Sequence, residues 1–248
     1  MDDIIEYLEQ SGNHDQLLAK WRERNDDEIR FEVLFAYWCE EKCLSLNYEV
    51  NVNPDNDKTV DFNFVTNNDV TVNLELVRPD LNIGIREQLT GDVLQGYILT
   101  SDHADPDFRT CAQLIKLQWA LLEKVEKFPQ FSETTINIIV VDCTNIHAGM
   151  FDHHDLGMAM YGNPGNPVYQ EYWDGNKLIG MWEEGYNQRG SDEFCDRISA
   201  VIFVPTQENE LLENALTALN LLQSIEHQQL ILDELNIYQA FVNVQVVQ

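Results

Sequence analysis

Apolar and polar positions alternate most regularly between Thr59 and Pro79, in the stretch TVDFNFVTNNDVTVNLELVRP. Val60, Phe62 and Phe64 are separated by polar residues, the period of two expected of a strand with one buried face. Thr66-Asn67-Asn68-Asp69 is a turn cluster. Val70, Val72, Leu74 and Leu76 then resume the period, so the segment predicts a β-hairpin. Upstream, Ile29, Val33, Ala36 and Tyr37 follow helical spacing and predict a helix over 26–44. Asp26 and Asp27 suit its first turn, where the positive end of the helix dipole lies. Residues 48–52 predict a strand. Downstream, 110–128 predicts a long helix that ends at Pro129. The continuous apolar runs 136–142 and 198–204 predict strands buried on both faces. The leucine spacing over 207–235 predicts a helix or helical hairpin, and 240–247 alternates like an edge strand.

The hairpin carries one acid on each strand. Asp61 starts the first and Glu75 lies near the end of the second, positions that an antiparallel pair with a short turn sets side by side. Both acids fall on the face opposite the Phe/Val/Leu set. Two carboxylates brought together in this way are a candidate divalent-metal site, because hard cations prefer oxygen ligands.

This hairpin resembles the metal-binding hairpin of the PD-(D/E)XK nuclease superfamily. Val60-Asp61 stands for the first half of the motif and Glu75-Leu76-Val77 for the second, with Val77 in the position of the usual lysine. The flanking order of helix, strand, hairpin, helix, buried strand, insertion and buried strand, over roughly residues 26–205, is similar too. The resemblance implies a restriction-endonuclease-like α/β fold: a mixed central sheet with the acid-bearing hairpin, flanked by helices. It implies one nuclease-like domain over 1–248, with its core at about 26–205, an insertion at about 144–190 and a C-terminal helical extension at about 206–248. It further implies Mg²⁺ held by Asp61, Glu75 and the Leu76 carbonyl, and a nucleic-acid substrate. A cation must then replace the lysine missing at Val77. Lys124, on the long helix expected beside the hairpin, is the first choice and Lys116 the second. Glu32, an acid inside an apolar helical run, is expected either to add a carboxylate or to face solvent. Arg78, the strand neighbour of Val77, should point to the other face.

Charge changes this picture. The chain of 248 residues has 15 Lys plus Arg against 43 Asp plus Glu, a net charge of −28 and a pI near 4.2. Such a charge repels nucleic acid at long range, whereas surfaces that neutralise phosphates are basic. Few cations remain to form a local basic patch: Arg78, Arg86, Lys116, Lys124, Lys127, Arg189 and Arg197. A second reading therefore stands beside the first: a catalytically inactive nuclease-like fold that acts as an acidic inhibitor or regulatory protein on a basic protein partner.

The remaining features set bounds. No apolar run approaches the ~18–20 residues needed to cross a membrane. The acidic start MDDIIEYLEQ has no basic region of a secretory signal. Five scattered cysteines, an odd number, suit reduced thiols in a cytoplasm, with a pairing of Cys39 and Cys43 as the alternative. His147, Asp152, His153, His154 and Asp155 raise a zinc reading, although their spacing is not that of a zinc finger. By the same resemblance, Asp155 and Tyr161-Gly162 belong to a structural helix. Tyr169, Tyr172, Trp173, Trp182 and Tyr186, among Gly, Pro and Asn, predict a compact insertion that packs over the sheet or offers a binding surface. The chain contains no Walker, GxGxxG or GxSxG signature.

Overall fold

The computed structural model describes residues 1–52, 58–79, 117–118, 120–121, 124, 135–144, 153–162, 181–182, 191–205, 211–242 and 244–246. Seven strands form one sheet in sequential order: β1 (Asn47–Val50), β2 (Val60–Val65), β3 (Thr71–Val77), β4 (Ile136–Asp142), β5 (Ala200–Val204), β6 (Leu216–Leu219) and β7 (Gln245–Val246). The sheet is mixed. β1–β2, β2–β3 and β5–β6 are antiparallel; β3–β4, β4–β5 and β6–β7 are parallel. The expected mixed sheet with helices is therefore present.

Among the described residues, six helices of defined bounds accompany the sheet: α1 (Asp2–Ser11), α2 (Asp15–Arg24), α3 (Asp27–Glu41), α4 (His153–Tyr161), α5 (Ser191–Arg197) and α6 (Ile225–Asn236). α3 begins one residue inside the expected range, because the Asp26 side chain caps it by accepting the Ile29 N–H at 3.0 Å. Ile29, Phe31, Val33, Leu34, Phe35, Ala36 and Trp38 are all buried, so α3 is apolar on nearly every side. A helix of that kind must be covered on the side away from the sheet. α1 and α2 supply the cover: Leu8, Leu17 and Leu18 join one buried cluster with α3 and with Phe62, Leu74, Leu76, Ile138, Val140 and Ile202.

That cluster takes in the even-numbered residues of β3 and β4. The opposite face carries Ile139, Val141, Val201 and Phe203, and its buried cover includes Leu117, Leu121, Leu156, Met160 and Phe194. Two parallel connections, β3 to β4 and β4 to β5, carry this second layer. α4 lies within the expected insertion. It ends at Tyr161, followed by Gly162 in the left-handed conformation at φ +74°, and the Tyr161 hydroxyl donates to the Leu219 carbonyl at 3.0 Å.

The C-terminal segment needs correction. Residues 207–235 are not a continuous helical element: Leu216–Leu219 is strand β6, buried throughout and paired with β5, and among the described residues of the segment only those from Ile225 onward, in Ile225–Asn236, are helical. The leucine spacing fits a helix, but pairing along β5 through Ala200↔Leu219 and Phe203↔Leu216 decides the conformation. Of the edge strand expected over 240–247, the described residues show Gln245–Val246 as strand β7. Leu117, Gln118, Ala120 and Leu121 are helical, within the expected long helix, whose ends lie outside the described residues. Residues 53–57 and 80–108, Lys116 and most of the aromatic insertion also lie outside them.

A row of amides crosses the sheet. Asn47 pairs in register with Asn63, Asn63 with Asn73, and Asn73 with Asn137. Asn47 Nδ2 donates to Asn63 Oδ1 at 2.9 Å, and Asn73 Nδ2 to Asn137 Oδ1 at 2.9 Å. Asn137 Oδ1 also accepts from the Thr135 hydroxyl at 2.8 Å, and its Nδ2 donates to the Arg197 carbonyl at 2.8 Å.

Candidate functional site

The pairing Phe62↔Leu74 fixes the register of the hairpin, and one further step sets Asp61 opposite Glu75. Phe62 and Leu74 enter the core, so their neighbours Asp61 and Glu75 face the other way, as the alternation of a strand requires. Asp61 Oδ2 accepts the Leu76 N–H at 2.7 Å. The N–H and C=O of one strand residue point to the same side, so the Leu76 carbonyl is also directed toward β2.

Glu75 is fully buried. Removing a carboxylate from water costs several kcal/mol unless an opposite charge and hydrogen bonds offset it. Lys124 provides that charge: its Nζ lies 3.1 Å from Glu75 Oε1, with the lysine side chain 18% exposed. The chain therefore brings together Asp61, Glu75 and Lys124, the three residues singled out in the sequence. Val77, in the position of the usual lysine, is buried.

A further buried acid lies on α3. Glu32 is 4% exposed, so the solvent-facing alternative does not hold. The Tyr48 hydroxyl donates to Glu32 Oε2 at 2.5 Å, and Lys20 Nζ stands 3.6 Å from the same oxygen. Burial raises the pKa of Glu32, while the Tyr48 hydrogen bond and the Lys20 charge pull it back. The Asp61 carboxyl is pushed up to about 7, first by burial, then by the charges of Glu75 and Glu32; the Leu76 N–H and Lys124 oppose the shift. The site thus has excess negative charge, held by lysines from two directions.

These donors suit a hard cation. Asp61 and Glu75 offer carboxylate oxygens and Leu76 a carbonyl, the ligand types that Mg²⁺ and Ca²⁺ take. Among the described residues, no three His, Cys, Asp or Glu side chains are grouped to hold an ion by themselves. An ion here would complete its shell with the carbonyl and with water, as Mg²⁺ commonly does.

The other candidates separate from this site or fall outside the described residues. Arg78 Nη1 donates to Asp142 Oδ2 at 3.1 Å, and Arg78 Nη2 lies 3.3 Å from Asp27 Oδ2. It ties the ends of β3 and β4 to the start of α3. Cys39 and Cys43 are free thiols, so the pairing alternative is not realised. Asp155 is buried at the start of α4. His147 and Asp152 and the side chains of His153 and His154 lie outside the described residues. Sequence reasoning missed Lys20 and Tyr48. Tyr48 stood in an expected strand and Lys20 in a segment with no motif, and neither carried a mark of its partner.

The fold and site define an α/β protein with a mixed sheet whose acid-bearing hairpin pairs Glu75 with Lys124. The chain matches no family model, no curated protein and no solved structure. Among the described residues no helix is long and apolar enough to cross a membrane.

Proposed function

We propose that this chain is a PD-(D/E)XK nuclease-like, Mg²⁺-dependent phosphodiesterase acting on nucleic acid, with Lys124 in the role that Val77 cannot fill. The observation that carries this reading is the 3.1 Å contact between the Lys124 ammonium and Glu75, on the face where Asp61 stands opposite. Asp61, Glu75 and the Leu76 carbonyl would hold the ion. When bound, Mg²⁺ lowers the pKa of a water and offsets charge on the scissile phosphate. Glu75 keeps the lysine at the margin of the acids. An ammonium has three N–H donors, and the one spent on Glu75 leaves two for a water or phosphate oxygen. Asp61, with a carboxyl near neutrality before any ion enters, is the group whose ionisation the ion favours.

A second reading has its own support. The net charge of −28 and the valine in the motif favour an inactive nuclease-like fold that binds a basic protein partner.

Cleavage of plasmid and single-stranded DNA and RNA with Mg²⁺ or Mn²⁺ tests the first reading, comparing wild type, Asp61→Ala, Lys124→Ala and Val77→Lys. Cleavage that Asp61→Ala abolishes and Lys124→Ala lowers by about two orders of magnitude supports it, the usual scale for a lost proton-transfer or charge-stabilising group. Wild type that cleaves as well without Lys124 removes the displaced-lysine role. An inert wild type with an active Val77→Lys identifies a disabled nuclease. If all variants are inert, the partner-binding reading takes its place.

A further inference from the structure

A cavity of about 330 Å³ opens between the turn that joins α1 to α2 and the chain that enters β1. Asn13, His14 and Gln16 line one side and residues 45–48 the other. The volume falls at the lower end of the range that small-molecule sites occupy. None of these residues belongs to the acid-bearing hairpin, and the nuclease-like reading gives the cavity no task.

The hydrogen bonds behind its wall decide what the cavity presents. A carboxylate only accepts, so a side-chain nitrogen that faces one must donate. Asn13 Nδ2 donates to Glu40 Oε1 at 3.1 Å, His14 Nε2 stands 3.1 Å from the same oxygen, and Gln16 Nε2 donates to Glu49 Oε2 at 2.6 Å. In its neutral form the His14 ring therefore carries its proton on Nε2, and Nδ1 is left as an acceptor. The carbonyl oxygens of Asn13 and Gln16 accept no bond from the described residues. Three side chains of one turn thus spend their donors on carboxylates and keep their acceptors.

His14 separates this wall from an ordinary polar surface. It is 1% exposed, and its Nδ1 is buried with no hydrogen-bond partner. An orphaned buried polar atom costs stability that a donor brought by a ligand would return.

Charge selects the kind of donor. Glu40 has no lysine or arginine partner among the described residues, and Glu49 shares Lys20 with Glu32. Asp15, in the first turn of α2, offsets the positive end of that helix, which would otherwise favour an anion.

We propose that this cavity binds a small alkylammonium, a cation that donates hydrogen bonds and accepts none, with His14 Nδ1 and the carbonyl oxygens of Asn13 and Gln16 as its acceptors. The site is independent of the metal and nucleic acid reading above.

The test titrates the full chain, labelled with nitrogen-15, with butylammonium at near-physiological salt. Long-range proton–nitrogen correlation NMR follows the His14 ring. Tetramethylammonium, which has the charge but no donor, and inorganic phosphate are the controls. Butylammonium should move the His14 Nδ1 resonance saturably, and neither control should. Gln16→Lys changes an exposed position where the new ammonium can still meet Glu49. It should weaken butylammonium binding by about tenfold or more, because an acceptor is lost and a like charge gained. Equal movement with tetramethylammonium would mean general attraction to an acidic chain, and the proposal fails. Movement with phosphate alone would make this an anion site. A resonance that none of the three moves leaves His14 Nδ1 as a structural atom, and unchanged affinity in Gln16→Lys places the amine elsewhere; either result overturns the assignment.

Discussion

Asn73 and Glu75 stand two residues apart on β3 and on the same face of the sheet, yet the two ends they mark are built differently. At the Asn73 end, amides satisfy one another across strands: Asn47 donates to Asn63, Asn73 to Asn137, and Asn137 to the Arg197 carbonyl. Such groups are neutral, so burial costs little once each hydrogen bond is made. At the Glu75 end, the groups are Asp61, Glu75 and Glu32, with Lys124 and Lys20 brought from separate segments. Burial first, then the charges of Glu75 and Glu32, push the Asp61 carboxyl up to about 7, against the Leu76 N–H and Lys124. The amide end is neutral, and even its buried Asn73 Oδ1, which has no hydrogen-bond partner, leaves no charge to balance; the other end has a use for a further cation. A protein that needed only to bury polar groups in this sheet already has the means two residues away. The charged end is therefore the better candidate for chemistry, since strongly perturbed carboxyls gather at functional sites as well as in structural ion-pair networks.

The largest expected effect breaks the charged end. Glu75→Gln keeps the shape and a hydrogen-bonding group but removes the charge that Lys124 meets. Any Mn²⁺-dependent cleavage should fall by about a hundredfold or more, as for loss of a charge-stabilising group. Calorimetry should show Mn²⁺ affinity falling in parallel. Unchanged cleavage and metal binding would remove Glu75 from the site.

The next effect breaks the amide end. Asn137→Leu removes an acceptor shared by Asn73 and Thr135 and the donor to the Arg197 carbonyl. Unmade buried hydrogen bonds cost about 1–3 kcal/mol each, so unfolding by urea should show a loss of about 3 kcal/mol. Mn²⁺ affinity should stay at the wild-type value. A loss of metal binding without a loss of stability would erase the contrast between the two ends.

The contrast also explains what could be read in the sequence. The hairpin was legible because its period of two and its turn cluster agree, and the register then followed from turn position. That register put Asp61 opposite Glu75, and the helix expected after the hairpin put Lys124 within reach. The amide row was not legible, because Asn47, Asn63, Asn73 and Asn137 become neighbours only once four strands are aligned. Glu32 was visible as an acid in an apolar run, but its partners lie on α2 and β1, at separations that no local pattern encodes. β6 was misread for a related reason. Its leucines satisfy helical spacing, and only the neighbouring β5 decides for a strand.

Asp61→Asn sharpens the comparison by making one acid resemble the amides. The asparagine Oδ1 can still accept the Leu76 N–H, so geometry is preserved while charge is lost. The folded carboxyl has its pKa raised from 3.8 to about 7, so between those values the folded state holds more protons than the unfolded one. Stability contributed by this group is then complete below pH 3.8 and lost as pH rises through 7. Asp61→Asn should therefore match wild type near pH 3.5 and exceed it at pH 8 without metal, by on the order of 2 kcal/mol, the scale of a buried charge relieved. Saturating Mn²⁺ should narrow or reverse the difference, since only wild type gains from the ion. Thermal melts at both pH values, with and without Mn²⁺, decide it. An asparagine variant less stable at pH 8 would mean that the Asp61 charge is already balanced without a metal.

Tyr48→Phe makes the smallest expected change, because the charged end has a substitute at hand. The hydroxyl donates to Glu32 at 2.5 Å and accepts from Lys20 at 2.8 Å, so it links the two charges. Phenylalanine keeps the ring against Phe62 and beneath Lys20, which leaves the packing in place. Lys20 already stands 3.6 Å from Glu32 and can close on it when the hydroxyl is gone. A hydrogen bond to a charged group contributes about 1.5–3 kcal/mol, and the lysine should recover part of that, leaving a net loss of about 1 kcal/mol in urea unfolding. Glu32 should titrate higher than in wild type, because the hydroxyl is one of the effects that hold it down. The double variant with Lys20→Met should cost more than the sum of the two single changes, since it removes the substitute as well. Strict additivity would show that Lys20 and Tyr48 serve Glu32 independently.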